Sequence, residues 1–361
     1  MLPPATDALS RTDLAVSGDG APHYRIPALT VTERGTLLAA YDARPTLGDL
    51  PSNIVILLRR SSNDGRTWSM PIVVRRDTAP IGFGDPSLLV DRDTKRIFLF
   101  HAAGVRQGFF GSRPGNNEQD ADVLQADYSY SDDDGVTWRH RRITRQIKNP
   151  AWGGIFASSG EGIQLRRGPH AGRLVQQYVV RADSKNWAAS AYSDDHGESW
   201  RMGALIGPDA DENKVVELGD GRLMLNSRAK PQRRIAWSSD GGDTFTGWRV
   251  EPQLIDPANN GAITRYAPNA ASDAPESRWL LFSNTEHASE RRNLVVKMSC
   301  DDGATWPVRI VVDSGLAAYS TIARLRDGAL GVLYERGEYQ AITFAKVWLP
   351  RRCDRTGEGR R

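Results

Sequence analysis

Short apolar runs alternate with polar turn clusters along the whole chain. Asn53–Leu58 (NIVILL), Arg96–Phe100 (RIFLF), Arg173–Val180 (RLVQQYVV), Trp279–Phe282 (WLLF) and Leu330–Tyr334 (LGVLY) are the clearest runs. Each is strand-length, and Gly, Asp, Asn and Ser cluster between them. The 3.6-residue periodicity of an amphipathic helix is hard to find. This pattern predicts an all-β fold. Six four-stranded blades would leave about 14 residues for each strand with its loop, a comfortable length for a six-bladed β-propeller.

One turn motif recurs five times: SSNDGRTW (61–68), SDDDGVTW (131–138), SDDHGESW (193–200), SSDGGDTF (238–245) and SCDDGATW (299–306). Ser and Asp side chains cap turn amides, Gly supplies a positive φ, and the closing aromatic covers the hairpin. The intervals are unequal, which suits blades with loops of varying length better than a tight solenoid. These turns read as hairpin staples and not as a catalytic site. Their alternating Asp residues resemble a calcium loop, but no bidentate Glu follows and each motif closes on an aromatic.

Composition narrows the function classes. The chain has 361 residues, 25% charged and 39% apolar, as in an ordinary globular protein. A net charge of +3 makes no electrostatic case for nucleic acid. No apolar stretch approaches the ~18 residues of a membrane span. No His/Cys/Asp group has zinc spacing, and there is no phosphate-cradling glycine loop or G-x-S-x-G elbow, so neither metal nor cofactor is expected. Cys300 and Cys353 are expected to form one disulfide closing the final blade, with two buried thiols as the alternative. No signal peptide is visible at residues 1–4 (MLPP).

Near the start stands Tyr24-Arg25-Ile26-Pro27. An Arg-Ile-Pro tripeptide on an early strand, upstream of several such turns, resembles the sialidase (neuraminidase) family. The resemblance covers nearly the whole chain and is nearest to secreted bacterial exo-α-sialidases of the six-bladed propeller type. It implies one catalytic domain over residues 1–350 with a basic tail at 351–361, secretion, a monomer, and a sialylated glycoconjugate as substrate.

Sialic acid carries a carboxylate on its anomeric carbon, and a guanidinium grips a carboxylate with two parallel hydrogen bonds. The resemblance implies three arginines for this: Arg25, Arg228 (LNSR) and Arg291, chosen over the adjacent Arg292 by its spacing to Asn293. Glu335 (LYE) matches the acid that orients the first arginine. Tyr319 (AYST) matches the nucleophile, since sialidases are the tyrosine exception among glycosidases. A carboxylate nucleophile would approach a carbon that already bears negative charge, whereas a phenol stays neutral until a base takes its proton. Glu212 (DENK) matches that base. Glu217 competes, but five residues away it would face the other side of a strand.

Asp49, on a loop with Pro45 and Gly48, matches the general acid, which must be desolvated by bound substrate. Asp42 in the same segment is expected to pair with Arg44. Asp85 (GFGDPS) matches a residue that contacts the substrate N-acyl amide, with a turn-capping Asp as the alternative. Arg44 is expected near the substrate carboxylate, and Glu161 on a Gly-rich loop is expected to rim the pocket. A sialoglycan-binding propeller without activity, a trans-sialidase or an anhydro-forming enzyme are the other readings. A binder has no need of Tyr319 paired with Glu212.

Overall fold

The computed structural model describes residues 9–353. Of the expected tail, everything from residue 354 lies outside the described residues. The chain forms a six-bladed β-propeller. In the first blade His23–Val31, Leu37–Arg44, Val55–Ser61 and Ile72–Arg75 pair antiparallel in chain order. The second blade starts on Gly82–Val90, the fourth on Asn213–Glu217 and the fifth on Ala262–Arg265. Each of the five apolar runs named above falls on a strand, four of them beginning one or two residues before it. The first strands of neighbouring blades touch one another, so they line the central channel.

Two strands depart from simple repetition. Val308–Arg324 serves two blades: its first part pairs with Arg292–Ser299, and its second part pairs with Leu330–Arg336. The innermost strand of the third blade is broken into Ile155–Ala157 and Ile163–Gln164. Between them Gly160–Glu161 crosses to pair in parallel with Gly82–Val90 of the second blade. The ring closes when Leu9–Val16 adds itself to Ala341–Val347, with Leu9 opposite Val347 and Val16 opposite Ala341. The N-terminal strand is thus the outer strand of the last blade, and pairing it there leaves one fewer exposed sheet edge.

The five turn motifs follow the third strands of the first five blades and share one geometry. The amides of Gly65, Gly135, Gly197, Gly242 and Gly303 donate to the motif serine hydroxyls at 2.8–3.0 Å. The residue before each of these glycines also has positive φ, so two left-handed residues stand in series. The glycine is doubly required. A Cβ on Gly65 would meet Phe344 at 2.2 Å, and one on Gly197 would meet Phe98 at 2.3 Å. Each of these two motifs therefore clamps the neighbouring blade as well as its own hairpin. Apolar faces of adjacent blades supply the core, as where Phe98, Phe100, Tyr128 and Trp200 pack edge to face. Each such ring contributes about 1.5–3 kcal/mol by burial.

Cys300 and Cys353 are joined at a sequence separation of 53. The bond does not close the final blade on itself. It ties the segment after that blade back to the fifth blade's turn motif, because Cys300 directly follows the strand Arg292–Ser299. Replacing both cysteines by Ser is expected to lower unfolding free energy by about 2–4 kcal/mol. The shift in urea midpoint at unchanged m-value checks this.

Candidate active site

The sequence-derived residues come from five blades and converge at one mouth of the channel. A pocket of about 220 Å³ is lined there by Arg25, Asp49, Asp85, Glu212, Arg228, Arg291 and Tyr319. Local irregularities aim several of these side chains. The ladder shifts between Arg25 and Ala28, between Gly84 and Ser87, between Arg292 and Leu294, and between Ala317 and Ser320. Ile26, Asp85 and Asn293 have positive φ at these points. A bulge breaks strict alternation and turns a side chain along the strand axis, here towards the channel mouth.

Glu335 organises one side. Its side chain is 0% exposed. It accepts Arg25 Nε at 3.0 Å, the Ile26 amide at 2.9 Å and the Tyr319 amide at 3.1 Å. One carboxylate therefore fixes the first arginine and the backbone of the tyrosine together. Burial opposes the charge on Arg25, but Glu335 and then Tyr319 and Tyr339 more than offset it, so its pKa is raised.

Glu212 organises the other side. Arg228 Nη1 lies 2.5 Å from Glu212 Oε2 and 2.6 Å from the Tyr319 hydroxyl oxygen. Ser159 Oγ donates to Glu212 Oε1 at 2.8 Å. Burial raises the Glu212 carboxyl, yet Arg228 and then the Tyr319 hydroxyl outweigh it, so its pKa is lowered. Burial and the Glu212 charge push the Tyr319 phenol well up, against three arginines that pull it down. The empty site therefore holds a neutral phenol beside an ionised carboxylate.

The three arginines surround the tyrosine ring. Their guanidinium carbons lie 5.2 Å (Arg25), 5.8 Å (Arg228) and 5.2 Å (Arg291) from its centroid. Arg291 donates to the Tyr339 hydroxyl at 3.1 Å and to the Ala258 carbonyl at 3.1 Å. Arg292 is exposed and faces Glu290, so Arg291 is the member that enters the pocket. Glu217 stands at the other end of the strand Asn213–Glu217, where it accepts the Arg166 and Arg167 amides. Glu212→Gln is expected to cut sialoside turnover by roughly 10²–10⁴-fold if Glu212 is the base, while Glu217→Gln leaves turnover intact and lowers stability. A fluorogenic sialoside assay beside urea melts checks both.

Asp49 stands on the rim, 74% exposed, with Arg44 Nη1 at 2.7 Å and Arg25 Nη1 at 3.9 Å. Asp42 pairs with Arg44 at 2.8 Å, as expected. Arg44 departs from expectation. Its side chain is 1% exposed and does not line the pocket. Its guanidinium is engaged by both Asp42 and Asp49, so it holds Asp49 from behind. Asp85 lines the pocket, and burial, with Asp42 and Asp49 nearby, pushes its carboxyl well up. Glu161 is not at this rim. It lies deeper, where the broken third-blade strand crosses the channel, and lines a pocket at the far mouth.

Several pocket residues were not foreseen. Phe109, Phe110, Phe156 and Leu124 form an apolar wall, with ring centroids 5.0 Å apart for Phe109–Phe110 and 4.9 Å for Phe109–Phe156. Phe110 is 75% exposed. Two adjacent phenylalanines between glycines in a polar loop were the available signal. Tyr339, with φ of 61°, stacks on Arg25 at 4.6 Å, and nothing in its local sequence marks it. Elsewhere, Asp91, Asp93 and His196 bring possible ligand atoms within 4.8 Å of one another. Gln164 Nε2 donates to both carboxylates at 3.0 Å, so these acids already have partners.

Fold and site together define a six-bladed propeller with turn-motif staples and an arginine-lined acidic pocket at one channel mouth. The chain belongs to the BNR repeat-like domain family, whose model matches residues 27–332. It is 49% identical to a sialidase of Micromonospora viridifaciens over 98% of this chain and 56% of that protein. It is 30% identical to a sialidase of Bacteroides fragilis over 92% of this chain and 63% of that protein. The chain thus spans little more than half the length of these two relatives. Among solved structures, Hadza microbial sialidase Hz136 superimposes with a TM-score of 0.84 at 31% identity, over 92% of this chain and 66% of that one. An intramolecular trans-sialidase from Ruminococcus gnavus, at 20% identity and a TM-score of 0.81, shares the fold.

Proposed function

We propose that this chain is a retaining exo-α-sialidase that hydrolyses terminal α-ketosidic sialic acids of glycoconjugates, and that residues 1–350 are its catalytic unit. The observation that carries the reading is the ring of three guanidiniums around Tyr319, whose hydroxyl shares Arg228 Nη1 with Glu212. Arg25, Arg228 and Arg291 hold the substrate carboxylate, which places the anomeric carbon over the phenol. Tyr319 attacks that carbon as Glu212 takes the phenolic proton. The bond to the leaving oxygen breaks, and Asp49 supplies that oxygen's proton. Water then attacks the same carbon, losing its proton to Asp49, and Tyr319 departs with the proton returned by Glu212. Two displacements at one carbon give net retention.

Asp85 carries the N-acyl contact in this reading, since burial, with Asp42 and Asp49 nearby, favours its protonated form, which can donate to an amide carbonyl. The apolar wall of Phe109, Phe110 and Phe156 suits the less polar parts of the substrate. Secretion is supported by the disulfide, since such bonds persist in oxidising compartments. Relatives bearing the sialidase name support the reaction class. The test is proton NMR of an α-sialoside with the wild-type chain. Free α-sialic acid as the first product is expected. An anhydro sugar, a sialylated acceptor, or binding without turnover overturns the hydrolase reading.

A further inference from the structure

The channel has a second mouth, formed where the innermost strands end. Glu33 follows His23–Val31, Arg92 follows Gly82–Val90, and Arg166 follows Ile163–Gln164. Glu217 and Arg265 are the last residues of their strands. All five line one pocket of about 170 Å³, with Glu161 further in. None of them lines the pocket around Tyr319.

This pocket gathers the guanidiniums of Arg92, Arg166 and Arg265 against the carboxylates of Glu33 and Glu217, with Glu161 further in. Burial lowers the pKa of Arg166 to about 10, with repulsion from Arg92 and Arg265 adding to it and Glu33 and Glu217 offsetting part, so the three guanidiniums feel one another. The Arg92 and Arg166 heads meet neutral oxygens: the Leu165 carbonyl at 3.2 Å and Asn269 Oδ1. Glu217 is already committed. Its Oε1 accepts the Arg166 and Arg167 amides at 2.9 Å each, and its Oε2 lies 3.5 Å from Arg265 Nη1. Glu33 is exposed. Burial pushes the Glu161 carboxyl up to about 8, so it carries a proton at neutral pH and adds no charge. Among the described residues, Arg265 Nε and Glu161 Oε1 are buried without a hydrogen-bond partner. Arg265 is 5% exposed, so an unpaired donor there is costly.

We propose that this far mouth is a binding site for a small oxyanion of the phosphate type, held by Arg92, Arg166 and Arg265. Several acceptor oxygens on one small anion match several convergent donors, and arginine forks suit them. The volume of about 170 Å³ admits such an ion. The site is separate from the sialidase chemistry and stands or falls independently of it.

The test is calorimetric titration of inorganic phosphate into the full chain at constant ionic strength, with a citrate arm for carboxylate ligands. Wild type, Arg92→Ala/Arg166→Ala and Arg291→Ala are compared, because phosphate is also drawn to the arginines around Tyr319. The expected result is a saturable site retained in Arg291→Ala and at least tenfold weaker in the double variant, whose sialoside turnover matches wild type. If the double variant folds poorly, Arg166→Gln alone should weaken the same site. No saturable phosphate site, or one lost only in Arg291→Ala, overturns the proposal. Citrate binding at the far mouth without phosphate binding overturns the ligand class.

Discussion

Tyr319→Phe is expected to lose sialoside turnover by at least roughly 10³-fold while keeping substrate affinity within a few-fold. The substitution deletes one oxygen. The ring stays among the three guanidiniums, and the amide of residue 319 still donates to Glu335. What is lost is the oxygen that attacks carbon in the proposed mechanism, which is also the hydrogen-bonding partner of Arg228 and Glu212. Single-turnover kinetics with a fluorogenic sialoside separate the effects. A fall in the bond-breaking rate at unchanged binding identifies the nucleophile. A variant that keeps most of its turnover rules out the Tyr319 mechanism.

Glu335→Ala is expected to have the largest effect on stability, about 3–5 kcal/mol. The carboxylate is fully buried and neutralises Arg25, so its removal leaves a buried guanidinium without its main partner. Two backbone amides, of Ile26 and Tyr319, lose their acceptor as well. These amides belong to the first and last blades, so the same side chain bridges the point where the ring closes. Glu335→Gln retains an acceptor for the amides and is expected to cost less stability. It still loosens Arg25 and raises KM more than it lowers kcat. Urea midpoints and steady-state kinetics on both variants check this. A Glu335→Ala variant as stable as wild type would show that Arg25 has another partner.

The residues that sequence located best are those whose role is expressed in local chain chemistry. Ser61, Asp133 and Gly197 announce themselves because a capping oxygen, a turn acid and a positive-φ residue must sit at fixed offsets. Strand runs were legible because β-branched and aromatic residues alternate with turn clusters over short windows. Glu212 and Glu217 are parted by the length of the strand between them, which carries them to opposite mouths of the channel, and not by the side-to-side alternation that their odd spacing predicts.

Other assignments depended on distant parts of the chain. In sequence only the spacing to Asn293 separates Arg291 from Arg292. The choice falls to a bulge at Asn293, where the ladder shifts and Arg291 turns inward. Arg44 reads as a site arginine, yet Asp42 and Asp49 engage it from both sides and bury it. Glu161 leaves the rim because the broken third-blade strand crosses to the second blade.

By itself the sequence determined the strands, the staples and the inventory of acids, arginines and tyrosine, because these depend on contacts within a few residues. Only the tertiary structure decided which of them face one another. Closure of the ring brings Arg25 to Glu335 and Arg228 to Tyr319, separated by 310 and 91 residues. It also gathers Arg92, Arg166 and Arg265 at the far mouth. Such meetings depend on the order and tilt of whole blades, which no local window of sequence contains.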